Sequence, residues 1–108
     1  MSENAASGDD GGQTTDDILD ELFAVIEERK HEQPEGSYTA SLFTHEKGEN
    51  RTLEKLGEET TELVLAAKDD DHEAMAHEAA DLVYHLLVLF SMKDLTLDEV
   101  RAELRNRR

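Results

Sequence analysis

Leu82, Val83, Leu86, Leu87, Val88, Leu89 and Phe90 leave almost no polar face on any helix they occupy. A helix that is apolar all round must be buried on all sides. The segment lies in a helical pattern from about Asp70 to Met92, with Met75, Ala79, Leu82, Val83, Leu86, Leu87 and Phe90 expected inward. Three other helical patterns accompany it. One runs from about Asp16 to Lys30 on Ile18, Leu19, Leu22, Phe23, Val25 and Ile26. Another runs from about Asn50 to Lys68, with Leu53, Leu56, Thr60, Leu63, Val64 and Ala67 as the expected buried stripe. The last starts at Thr96 and ends in the basic residues Arg105, Arg107 and Arg108, which suit a helix C-terminus. No strand pattern competes. Three partner helices from so short a chain do not enclose a fourth. The expected fold is therefore all-α, a four-helix bundle completed by homo-oligomerisation, which also enlarges a small core.

Local signals set the expected boundaries. Asn50 is a good N-cap for the second helix. Asp70 with Glu73, and Thr96 with Glu99, have capping-box spacing, and Leu95 can staple to Val100. Pro34 and Gly36 close the first helix. The stretch from His31 to Glu49 is long for a loop in a helical domain. It carries Tyr38, Leu42 and Phe43, so it is expected to pack, with one short helical turn. Residues 1–14 lack apolar periodicity and read as a disordered acidic tail, leaving 15–108 as one domain.

The chain has 108 residues and a net charge of −16. That charge argues against free DNA or RNA as a partner, because phosphate binding relies on clustered Lys and Arg. The acids are spread along the chain, at Asp9, Asp10, Asp16, Asp17, Glu27, Glu28, Asp69, Asp70, Asp71 and Asp98. Such a spread fits a surface adapted to concentrated salt, which screens the repulsion, better than one functional anionic block. Cysteine is absent, which excludes disulfides and thiolate zinc sites. No apolar run reaches the length of a membrane span, and no secretory leader is recognisable, so a cytoplasmic location is expected and no membrane partner.

Among so many solvated acids, two spaced pairs stand out. Glu59 with Glu62, and Glu78 with Asp81, are each three residues apart and so share a helix face. Both pairs border apolar stripes. An unpaired carboxylate near a core is costly, and a metal ion offsets that cost. Oxygen donors suit Mg²⁺, and Mg²⁺ suits a phosphate-bearing ligand. The competing reading is boundary acids in ordinary ion pairs. Arg51 and Lys55, one turn apart on the same face as Glu58, Glu59 and Glu62, could clamp phosphates or could simply pair with Glu54 and Glu58. His85 could contact a substrate or shuttle a proton, or could be a satisfied histidine at the core edge. His31, His45, His72 and His77 lack zinc spacing, and there is no glycine-rich phosphate loop.

These residues carry a resemblance. Glu59-Thr60-Thr61-Glu62 followed by Glu78-Ala79-Ala80-Asp81 is similar to the E-x-x-E, spacer, E-x-x-D pattern of the all-α NTP pyrophosphatase (MazG-like) superfamily. Gly36-Ser37-Tyr38-Thr39-Ala40-Ser41-Leu42-Phe43, Lys55-Leu56-Gly57-Glu58-Glu59 and the ending Asp81-Leu82-Val83-Tyr84-His85 narrow it to the phosphoribosyl-ATP pyrophosphatase family of histidine biosynthesis. The resemblance covers about Ile18 to Arg105. One departure is Thr60-Thr61, where the family often has Ala-Thr. The resemblance implies Mg²⁺-dependent hydrolysis of phosphoribosyl-ATP to phosphoribosyl-AMP and pyrophosphate by a homodimer. It implies Glu59, Glu62, Glu78 and Asp81 as metal ligands and Glu58 as ligand or base. It implies Arg51, Lys55, Tyr38, Ser41 and His85 as substrate contacts. A fused cyclohydrolase would need cysteine and is not expected. Two alternatives differ in kind: a house-cleaning (d)NTP pyrophosphatase with the same carboxylates, and a non-enzymatic acidic helical interaction module.

Overall fold

The computed structural model describes residues 17–108, so the expected tail at 1–14 lies outside the described residues. The described chain is helical throughout, without a strand. It has five helices: α1 (Ile18–Glu32), α2 (Tyr38–Thr44), α3 (Glu49–Lys68), α4 (His72–Met92) and α5 (Leu97–Arg105). The expected count of four is corrected to five. The segment between α1 and α3 holds a seven-residue helix where a single turn was expected. Ser37 caps it by accepting the Ala40 N–H at 3.1 Å, and Leu42 and Ala40 are buried beneath it.

Each helix begins where a side chain or a turn can satisfy its first N–H groups. Asp17 accepts from Leu19 and Asp20 at the start of α1. The helix ends at Gln33, which adopts the left-handed conformation ahead of Pro34. Two expected caps are corrected. Asn50 lies inside α3, whose N-cap is Gly48 at φ 61°, without a side-chain cap. Asp71, not Asp70, caps α4 through the Ala74 N–H at 3.1 Å. Asp70 is the left-handed residue of the turn. The Thr96–Glu99 capping box of α5 forms in both directions.

α3 and α4 make the main antiparallel pair, joined by the short turn at Asp69–Asp71, and α1 lies against α4 and α2. The core is Ile26, Leu42, Leu87, Val88 and Leu97, with Leu22, Phe23, Phe43, Tyr84, Phe90 and Met92 around it. The inward seam of α3 is corrected. Thr52, Glu59 and Ala66 are buried, and Leu56 and Leu63 between them are half-buried, a heptad spacing. Leu53, Thr60, Val64 and Ala67 lie one row over and are exposed in this chain. A 20-residue helix with apolar residues on two adjacent rows permits either row to face inward, and the α4 contact selects the one containing Glu59. On α4, Val83 is likewise exposed, whereas His85, Leu87, Val88 and Ser91 are buried. No helix among the described residues is long and apolar enough to cross a membrane.

Candidate functional site

The α3–α4 turn determines which acids meet. Glu62 lies seven residues before Asp69 and Glu78 seven after Asp71, so the antiparallel hairpin sets them opposite each other. Their carboxyls are near enough for Glu62 to act on the proton affinity of Glu78. Glu78 is held above the ordinary carboxylate range, first by burial, then by the charge and hydrogen bond of Glu62, with Asp81 adding to it. Asp81 lies one turn along α4 and receives His77 Nε2 at 3.4 Å. Sequence reasoning gave His77 no role, although its i,i+4 spacing to Asp81 was available as a signal.

Glu59 is placed differently. It sits in the buried seam, 5 % exposed, and its Oε1 lies 2.8 Å from His85 Nδ1. The same nitrogen is 3.0 Å from the Asp81 backbone carbonyl. On the other side of the ring, His85 Nε2 is 3.0 Å from the Tyr38 hydroxyl. A buried carboxylate is thereby paired with an imidazole, as burial of charge requires. Tyr38 is half exposed, and its ring lies 6.2 Å from that of Tyr84 at a shallow 29° angle. Tyr84 in turn shares a hydrogen bond with Thr39. Burial pushes the Tyr84 phenol above its ordinary range, so its proton remains available for that bond. The Thr39–Tyr84 pair was not foreseen. Hydroxyl partners so far apart in sequence leave no periodic trace.

The remaining candidates stand around this wall. Lys55 pairs with Glu58 at 3.5 Å, and Arg51 with Glu54 at 3.7 Å, while Lys47 also grips Glu54 at 3.0 Å. Ser41 turns its hydroxyl back to the Tyr38 carbonyl. It lines a separate groove of about 250 Å³ with Gln33, Pro34 and Thr44. Thus Glu62 faces Glu78 at the rim, with Asp81 one turn further along α4, and Glu59, His85 and Tyr38 come together beside it. Glu58, Arg51 and Lys55 flank the rim in local ion pairs, and Ser41 stands apart. Among the described residues no three His, Asp or Glu side chains converge closely enough to enclose a metal ion by themselves.

Fold and site together define an all-α protein with a carboxylate rim on a helical hairpin, backed by an aromatic and imidazole wall. Comparison with known proteins narrows the class. The sequence model of the phosphoribosyl-ATP pyrophosphohydrolase family matches residues 19–108, and the chain belongs to that family. It is 73% identical over 94 residues to the phosphoribosyl-ATP pyrophosphatase of Haloarcula marismortui, covering 87% of this chain and 96% of the relative. It is 74% identical over 102 residues to that of Natronomonas pharaonis, covering 94% and 99%. The match extends to the phosphoribosyl-ATP pyrophosphatase of Metallosphaera sedula, 50% identical over 91 residues, covering 84% and 96%.

Proposed function

We propose that this chain hydrolyses phosphoribosyl-ATP to phosphoribosyl-AMP and pyrophosphate, a step of histidine biosynthesis, at the α3–α4 rim with Mg²⁺ as cofactor. Family membership supports the reaction. The observation that carries the location is the meeting of Glu62 and Glu78, with Asp81 one turn away, beside an exposed aromatic wall. Two like-charged carboxyls facing each other are a donor set whose repulsion a divalent cation would relieve. Mg²⁺ is commonly held by one or two carboxylates plus substrate phosphates and water, so a complete protein cage is not required. Glu59, Glu62, Glu78 and Asp81 would hold it, Glu59 from the seam and the others from the rim. When bound, it supplies charge neutralisation on the triphosphate.

The chain's own groups have distinct tasks. In hydrolysis, a water oxygen forms a bond to phosphorus as the anhydride P–O bond to the pyrophosphate group breaks. A proton leaves that water for a carboxylate, and Glu58, exposed on the rim face of α3, is the acceptor in this reading. Lys55 and Arg51, about two and three turns before Glu62, exchange their local carboxylate partners for phosphate oxygens and offset charge on the leaving group. The Tyr38 ring offers a surface for the base or ribose, with His85 holding it in place.

The fold is read as the MazG-like helical arrangement, with the exposed row Leu53, Val64 and Ala67 of α3 seating a second copy as a homodimer. A cytoplasmic location follows from the biosynthetic role. The decisive experiment compares pyrophosphate release from phosphoribosyl-ATP and from dATP, with and without MgCl₂, in 2 M KCl. The reading predicts Mg²⁺-dependent release with a clear preference for phosphoribosyl-ATP. A preference for dATP would transfer the site to nucleotide house-cleaning, and no release from either would leave an acidic interaction module.

A further inference from the structure

We propose that Lys47, in the turn between α2 and α3, is a specificity-determining residue that binds the terminal phosphate of the phosphoribosyl arm of the substrate. The inference rests on the reading of the rim as the hydrolytic site. It names the group that separates this substrate from an ordinary nucleoside triphosphate. Phosphoribosyl-ATP carries phosphate at both ends. Its triphosphate hangs from the ribose on one edge of the base, and a second ribose, ending in a monophosphate, hangs from the opposite edge. A site that takes the triphosphate at a carboxylate rim therefore needs a second, cationic place on the far side of the base. A plain nucleoside triphosphate has no use for it.

The helical hairpin lays out these places in order. Along α3, away from the Asp69–Asp71 turn, the first level is the rim of Glu62 and Glu78. The next is the level of Glu59 and His85, which carries Tyr38 through the 3.0 Å contact between its hydroxyl and His85 Nε2. Glu54 follows, eight residues before Glu62, which is about 12 Å along a helix rising 1.5 Å per residue. Lys47 reaches Glu54 from outside the helix, its Nζ 3.1 and 3.0 Å from Oε1 and Oε2. The Lys93–Glu49 pair at 3.1 Å ties the far ends of α4 and α3 and keeps this register. Carboxylates, aromatic ring and ammonium thus succeed one another as triphosphate, base and distal phosphate do in the substrate.

Charge singles out the same place. The chain has 11 Lys and Arg against 27 Asp and Glu, so cations are scarce, yet Lys47, Arg51 and Lys55 recur here at every fourth residue. Glu54 faces Lys47 and also Arg51, at 3.7 Å, and its single charge balances one of the two. Its carboxyl is held below the ordinary range by the Lys47 hydrogen bond first, against some burial, and then by the charges of Lys47, Arg51 and His45. Lys47 and Glu54 are both about half exposed, so a phosphate can take the ammonium without disturbing the core. A phosphate dianion brings more charge and more acceptor oxygens than the carboxylate it replaces.

The test uses the full chain in 2 M KCl with MgCl₂. Pyrophosphate release from phosphoribosyl-ATP gives KM and kcat. Competing dATP gives an inhibition constant for a triphosphate without the distal phosphate. Lys47→Ala should raise KM by about tenfold or more, the scale of losing a charge-assisted hydrogen bond, with kcat within about threefold of the parent. The inhibition constant of dATP should stay within about twofold. Lys47→Arg keeps the charge and should recover most of the KM, and Glu54→Gln, which removes the competing carboxylate, should leave KM at or below the parental value. A lysine that only braces the start of α3 would shift KM and the dATP constant together, or shift neither, and Glu54→Gln would then behave as Lys47→Ala does. Any of these results would overturn the proposal. Should Lys47→Ala fail to fold, Lys47→Gln decides in the same comparison. No pyrophosphate release by the parent protein would refute the function itself, whereas parental release with an unselective Lys47 variant would refute this site alone.

Discussion

Two glutamates three residues apart have opposite fates here, and the difference is a matter of about 60° around one helix. Glu62 meets Glu78 across the rim, and Glu59 meets His85 inside the seam. Spacing told that both share a face. It could not tell which lies inward, because apolar residues occupy two adjacent rows of α3. The Tyr84-His85 ending was legible as a motif, but the partner of His85 was not, since Tyr38 is 47 positions away. The Glu78 carboxyl offers a check on the rim. Its native affinity for a proton is raised above the ordinary value of 4.5, by burial first and Glu62 second. The native state therefore gains from protonation. That contribution is present below the ordinary carboxylate pKa and is lost as pH rises through the raised native value. In metal-free protein, Glu78→Gln should match the parent Tm near about pH 4 and exceed it increasingly towards about pH 7, where the carboxylate pair is charged. A gap that shrinks with rising pH would contradict the geometry.

At the level of helices, most of the fold was readable because apolar periodicity survives without tertiary information. The α1, α3, α4 and α5 patterns match their helices within a few residues, and the Thr96–Glu99 box forms as its sequence demands. The misplacements are at ends. Asn50 has a capping side chain, but the turn at His45–Gly48 starts α3 earlier, through the Gly48 N–H to His45 carbonyl bond at 2.8 Å. Three consecutive aspartates made the α4 cap ambiguous, and the left-handed Asp70 settled it on Asp71. Helix α2 was too short for periodicity to reveal, being held by Leu42 burial and by Tyr38 and Thr39 contacts to α4. Helix α5 rests on the buried Leu97 and on Arg101, which bonds Asp17 and reaches Asp20 at 3.1 Å. Asp71→Ala and Thr96→Ala should each lower unfolding stability by about 1 kcal/mol. Chemical denaturation checks both, and an unchanged midpoint in either would mean that its helix start is held by other contacts.

For the whole molecule, the dominant fact is charge. A net −16 on 108 residues produces self-repulsion that dilute buffer does not screen, since the Debye length is ~30 Å at 0.01 M and ~3 Å at 1 M. Relatives at 73% and 74% identity come from Haloarcula marismortui and Natronomonas pharaonis, in accord with a surface suited to salt. Tm should therefore rise as KCl is raised from about 0.1 to 2 M. Mg²⁺ should add most at low salt, by binding the native rim. A Tm that falls with KCl would mean that ion pairs such as Lys47–Glu54 and Arg101–Asp20 outweigh the repulsion. The account as a whole depends on the rim being where hydrolysis occurs. Pyrophosphate release from phosphoribosyl-ATP by Glu62→Gln and Asp81→Asn, measured in MgCl₂ with circular dichroism alongside, tests this most directly. The account predicts a loss of at least about 10²-fold in each, the scale of removing one preorganised electrostatic group, with helicity unchanged. Near-parental rates in both variants would place the chemistry elsewhere.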